Sequence, residues 1–112
     1  MQFDVNREDG YLLAQVAGSV DITTVEEFGR RVISLVEQDA SVLIDISATD
    51  YINSDGLLRL LHLQQEIKKR SHQLVIFVPT PLVQSVFRAT NLDNVLHVVD
   101  SRESALHYVS AN

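Results

Sequence analysis

Apolar and polar residues alternate with two different periods along this chain, and the switches between them mark out its elements. Residues 2–6 alternate strictly, with Phe3 and Val5 on one side, which predicts a short edge strand. A charged turn follows at Arg7, Glu8, Asp9 and Gly10. Residues 11–17 then form a second strand, close enough to the first to make a hairpin; Gly18 and Ser19 end it. Val25, Phe28, Val32, Leu35 and Val36 recur at helical spacing, predicting a first helix that runs to about Gln38. Thr23, with Glu26 three residues later, has the pattern of a capping box. Gly29 lies inside that helix at a cost of about 1 kcal/mol against alanine, and a close approach of helix to sheet would account for it.

The next run, residues 41–46, is apolar throughout except for Asp45, as expected of a strand buried on both faces in a parallel sheet. An unpaired carboxylate there is costly, so Asp45 is expected near the strand end or hydrogen-bonded. A second helix opens near Ser54. Leu57, Leu60, Leu61 and Ile67 share one face of it, and Leu58 and Leu63 widen that stripe, which reads as sheet-facing core with room for a contact surface at its edge. Residues 74–78 are another buried strand. Pro81 suits the first position of a third helix, whose apolar face is Leu82, Val83, Val86 and Phe87, and Asn91 suits its exit. Residues 95–99 read as a last short strand. Asp100 and Glu103 form a cap pattern for a fourth helix carrying Ala105, Leu106 and Val109. This order predicts an α/β domain. Its mixed, mostly parallel sheet has about five strands, accompanied by about four helices, with the N-terminal strand antiparallel at the edge.

Composition narrows the function classes. The 112 residues suit one domain, 1–112, and the 46% hydrophobic content is enough for a core. The absence of cysteine excludes disulfides, thiolate metal sites and cysteine nucleophiles. A net charge of −6 argues against nucleic acid or anionic lipid as partner. Lys68, Lys69 and Arg70 cluster at a predicted helix end, where cations complement the dipole. No run reaches membrane-spanning length and the first residues lack a signal-peptide core, so direct membrane insertion is not expected and the expected compartment is the cytoplasm.

The candidate chemistry sits at Asn53, Ser54, Asp55 and Gly56, where a strand delivers a hydroxyl and a carboxylate to a helix start. Backbone N–H groups there are unpaired and favour anionic groups. Ser54 is therefore placed to carry a phosphate switch, although capping by Asn53 or Ser54 is the commoner role for such residues. Asp21 precedes the first helix at the same predicted sheet edge. It either joins Asp55 in an acidic surface around Ser54 or serves as a turn residue. No catalytic residue is assigned: Ser54 lacks the Gly-x-Ser-x-Gly setting, and His62 is about two helical turns further on. His62, His72, His97 and His107 have no zinc-motif spacing, and the four isolated glycines form no phosphate loop. No metal and no cofactor are expected.

In order along the chain stand Gly18-Ser19-Val20-Asp21, the run VLIDIS, Asn53-Ser54-Asp55-Gly56-Leu57, LVIFV, Val86 to Leu92 and Ser101 to Leu106. The ordered set resembles the STAS domains, the family of bacterial anti-sigma factor antagonists. The resemblance implies a non-catalytic regulator that binds an anti-sigma factor, a histidine-kinase-like serine kinase, through the start of helix two. It implies a partner surface of Ser19, Asp21, Ser54, Asp55, Leu57 and Leu58. The family's usual signature is Asp-Ser-Ser-Gly or Asp-Ser-Thr-Gly, whose second hydroxyl is phosphorylated. Here Asn53 replaces the Asp and Asp55 replaces the acceptor, leaving Ser54 as the possible phosphorylation site. A permanent charge at Asp55 either imitates the phosphorylated, released form or meets a cation supplied by the partner. The alternative implied role is a STAS subunit of a lipid-transport ABC complex, or a signalling scaffold, that docks without a phosphate switch.

Overall fold

The computed structural model describes residues 1–110. Five strands form one sheet in the order β1-β2-β3-β4-β5: β1 (Gln2–Arg7), β2 (Tyr11–Ala17), β3 (Ser41–Ala48), β4 (Leu74–Phe77) and β5 (His97–Val99). Only the β1–β2 pair is antiparallel; β2, β3, β4 and β5 run parallel. The helices are α1 (Val25–Ser34), α2 (Ser54–Lys69), α3 (Pro81–Ala89) and α4 (Arg102–Val109).

Side-chain alternation divides the core in two. One face of β2, β3 and β4 offers Leu12, Ala14, Val16, Val42, Ile44, Ile46, Leu74 and Ile76 to α1, α2 and α3, whose Phe28, Leu60 and Phe87 are fully buried. On the other face, Leu43, Val75 and Phe77 meet Ala105 and Val109 of α4. Strands β3 and β4 are thus covered on both sides, and β2 mainly on one, which is why β3 reads as an apolar run broken only by Asp45 within residues 42–46.

Several local expectations need correction. The first helix ends at Ser34, and Leu35–Gln38 tightens into a 3₁₀ turn closed by Asp39 in the left-handed region at φ 52°. The last strand begins at His97, because the segment before it is a 3₁₀ turn (Leu92–Asn94) whose exit leaves Val95 52% exposed. Asn91 does adopt left-handed geometry, at φ 61°, at the end of α3. The cap of α4 is Ser101, not Asp100: its hydroxyl accepts from the Ser104 N–H at 3.1 Å. Asp45 lies mid-strand yet is satisfied. It accepts from the Ser47 N–H at 2.9 Å and stands 3.5 Å from the Arg102 guanidinium, which also covers the Phe77 ring.

Candidate functional site

Because β2, β3 and β4 are parallel, their C-terminal ends lie at one edge of the sheet, and the turns leading into α1, α2 and α3 gather there. The first two of these turns are bonded to each other. Val20 donates to the Tyr51 carbonyl at 2.8 Å, Asn53 donates to the Val20 carbonyl at 2.9 Å, and Val20 and Ile52 form a parallel bridge. The Ser19 hydroxyl donates to Asp50 at 2.8 Å. Below them the buried Thr49 hydroxyl donates to the Val16 carbonyl at 3.0 Å.

At the start of α2, Asn53 is the cap, its side-chain oxygen accepting from the Gly56 N–H at 2.8 Å. The smaller role expected of Asn53 is therefore the one it performs. Ser54 is exposed at the first helical position. Gly56 is demanded by space: a Cβ there would lie 2.8 Å from Ile52 Cγ1 and 2.9 Å from Val20 Cγ1. This glycine lets α2 begin directly over the bonded pair of turns.

Asp21 organises the other turn. Its carboxylate accepts from the Thr23 N–H at 2.9 Å and the Thr23 hydroxyl at 2.7 Å, while its own N–H donates to the Thr24 hydroxyl at 2.9 Å. The expected capping box at Thr23 and Glu26 does not form; α1 begins after Thr24 without a side-chain cap. The nearby carboxylate takes Thr23's donors first. Hydrogen bonds from the Thr23 hydroxyl and then its N–H hold the Asp21 carboxyl below its ordinary range.

The turns carry apolar side chains outward. Ile22 is 86% exposed, Tyr51 52%, Leu58 59% and Leu82 70%. Leu57, expected on the partner surface, is instead buried at 2%. Helical rotation of about 100° per residue separates it from Leu58, so one leucine anchors α2 and its neighbour faces out.

Arg59 joins the site without having been singled out from sequence. It stands 3.4 Å from Asp55 through Nε and 3.1 Å from Glu26 of α1 through Nη2. It crosses α1 over Gly29, where a Cβ would come within 2.5 Å of Nη1, so Gly29 serves the α1–α2 contact and not an approach to the sheet. The spacing of Asp55 and Arg59, four residues apart on a helix, was the available signal. Among the described residues no group of three metal-ligating side chains converges, and no helix is long and apolar enough to cross a membrane.

A five-stranded α/β fold with this turn at the head of α2 defines a class. The STAS domain model matches residues 2–105, and the chain belongs to that family. It is 27% identical over 106 residues to BtrV of Bordetella bronchiseptica, named as a candidate anti-sigma factor antagonist, covering 94% of this chain and 91% of that one. The crystal structure of an anti-sigma factor antagonist from Mycobacterium paratuberculosis superposes with a TM-score of 0.88 at 22% identity, over 96% of this chain and 92% of that one. The Bacillus cell fate determinant SpoIIAA in its phosphorylated form shares the fold with a TM-score of 0.69 at 17% identity, over 96% of this chain and 99% of that one.

Proposed function

We propose that this protein is a non-catalytic regulator that docks an anti-sigma factor of the serine-kinase type through the edge formed by the Asp21 turn and the start of α2. The observation that carries the reading is the pairing of rigidity with exposed apolar surface. Ile22 and Tyr51 stand out from turns whose backbones are bonded to each other, and Leu58 stands out from the helix that follows them. Large side chains held in advance lose little entropy on binding, the property that makes interface anchors. Around them lie Asp21 and Asp50, neither of which forms an ion pair among the described residues, so a partner surface with an apolar recess and a cationic rim would be complementary. Ser19 contributes indirectly, by fixing Asp50.

In this reading the phosphate switch is altered. The acceptor position holds Asp55, which cannot be phosphorylated by a serine kinase, and Ser54 is the only hydroxyl in the turn.

The test places a photo-crosslinking residue at Ile22 or Leu58, with Val95 at the opposite edge as control, in the native host. Adducts with an anti-sigma factor at the first two positions and none at Val95 support the reading. Adducts only with permease or ATPase subunits of a transporter would overturn it in favour of the transport role. The same digests report whether Ser54 carries phosphate.

A further inference from the structure

Asp55 raises a question that the docking reading leaves open. A free carboxylate at the head of α2 would put a negative charge in the middle of the contact surface. The first-turn N–H groups of α2 favour that charge in part, but no side chain of the turn offsets it: Asn53 and Ser54 are neutral. The offset comes from within the chain. Arg59 Nε is 3.4 Å from Asp55 Oδ1, one helical turn along α2. Its Nη2 is 3.1 Å from Glu26 Oε1, so the guanidinium is held at both ends.

The stem of Arg59 runs over Gly29, and an ideal Cβ at Gly29 would fall 2.5 Å from Nη1, 2.9 Å from Cζ and 3.0 Å from Cδ. Any other residue at Gly29 would displace the guanidinium. Gly29 is buried in the middle of α1, where glycine weakens the helix. The space that this glycine leaves is occupied by the Arg59 side chain. Four positions on two helices are therefore matched: Asp55 and Arg59 on α2, Glu26 and Gly29 on α1.

Resting on the docking reading, we infer that Arg59 is the built-in counter-ion of Asp55: it keeps the 53–56 turn from displaying a free negative charge, so the turn presents the surface of an unmodified switch with no phosphate cycle. Asp55 then neither imitates a phosphorylated residue nor waits for a cation from the partner, because the cation is supplied in cis. Arg59 is a positioning residue: it acts on the partner through Asp55.

The test has two arms. The first needs no partner: paramagnetic relaxation is measured on the isotope-labelled full chain with a cationic and an anionic nitroxide cosolute. Arg59→Gln is expected to raise the cationic-to-anionic ratio about twofold at the amides of residues 54–57, and Asp55→Asn with Arg59→Gln to return it to the wild-type value. Arg59→Met, which keeps the stem over Gly29, should behave as Arg59→Gln does. An unchanged ratio in the single variants, or no return in the double, overturns the inference.

In the second arm, binding is measured to the anti-sigma factor captured at Ile22. Arg59→Gln is expected to weaken it about tenfold and the double variant to recover it. A loss that Asp55→Asn does not rescue makes Arg59 merely structural and overturns the inference. If crosslinking at Ile22 captures no anti-sigma factor, the docking reading fails, and the nitroxide ratios still decide the role of Arg59.

Discussion

The two ends of the sheet are built differently. At the C-terminal ends of β2 and β3, main-chain hydrogen bonds join two consecutive turns, with Val20 bonded to both Tyr51 and Asn53. Val20 and Ile52 pack inward beneath these bonds, and Ile22 and Tyr51 project into solvent. Around β5 and α4 side chains do more of the holding. The strand has three residues paired to β4, and side-chain contacts add to that short ladder: His97 stacks on Tyr108 with ring centroids 3.5 Å apart, and Arg102 reaches Asp45 at 3.5 Å. A contact surface has to keep its shape while its apolar groups stay exposed. Backbone bonding achieves that, whereas side-chain packing consumes the groups that would be presented.

Truncation should separate anchoring from presentation most sharply at two neighbouring leucines. Leu57→Ala removes a fully buried side chain and is expected to cost about 2–5 kcal/mol in urea unfolding. Leu58→Ala, at an exposed position, should change stability by less than about 0.5 kcal/mol and act only on partner binding. Equal losses from the two would dissolve the distinction between them.

Next in size is Gly56→Ala. The added Cβ meets Val20 and Ile52 under 3.0 Å, so a loss of about 1–3 kcal/mol is expected by denaturant titration. An unaffected midpoint would show that the two turns are not held tightly together.

The helix caps should follow. Asn53→Ala and Ser101→Ala each remove a side-chain acceptor and should each cost about 1 kcal/mol. Amide exchange should locate the first loss in the opening turn of α2 and the second in α4.

The smallest effect concerns the β5–α4 end. Burial holds His97 below its ordinary range. The unfolded chain therefore takes up that proton first. The contribution of His97 to stability is complete above about pH 6.5, declines as pH falls toward the lowered folded value, and levels off beneath it. Lys68 and His72 line the cavity on one side of His97, and Glu103 and His107 the one on the other. A His97→Phe variant should flatten the fall in urea midpoint between about pH 7 and about pH 5, and an unchanged profile would contradict the part given to His97.

Most of the fold was legible because its strands and helices follow two clear periods and the buried strands β3 and β4 are apolar runs, broken only by Asp45 within residues 42–46 and 74–77. The hairpin, the parallel order and the start of α2 all followed from that. Helix starts rich in Ser, Thr and Asp were less legible. Several side chains compete there for the same N–H groups, and tertiary position decides: Asp21 displaced the expected box at Thr23, and Ser101 displaced Asp100. Leu57 was placed on the partner surface by the family resemblance, whereas its helical period puts it in the sheet-facing stripe, and its burial follows the period. Ile22 belongs to neither periodic pattern, so no sequence signal singled out a side chain that is 86% exposed. Arg59 was within reach of a spacing rule, but its fit over Gly29 requires two helices to be seen together.

The most direct test of the docking edge is amide chemical-shift mapping of the labelled chain as the crosslinked anti-sigma factor is added. The account predicts shifts concentrated at Ile22, Tyr51, Ser54, Asp55 and Leu58. Shifts confined to the β5–α4 end, with this edge unperturbed, would contradict it.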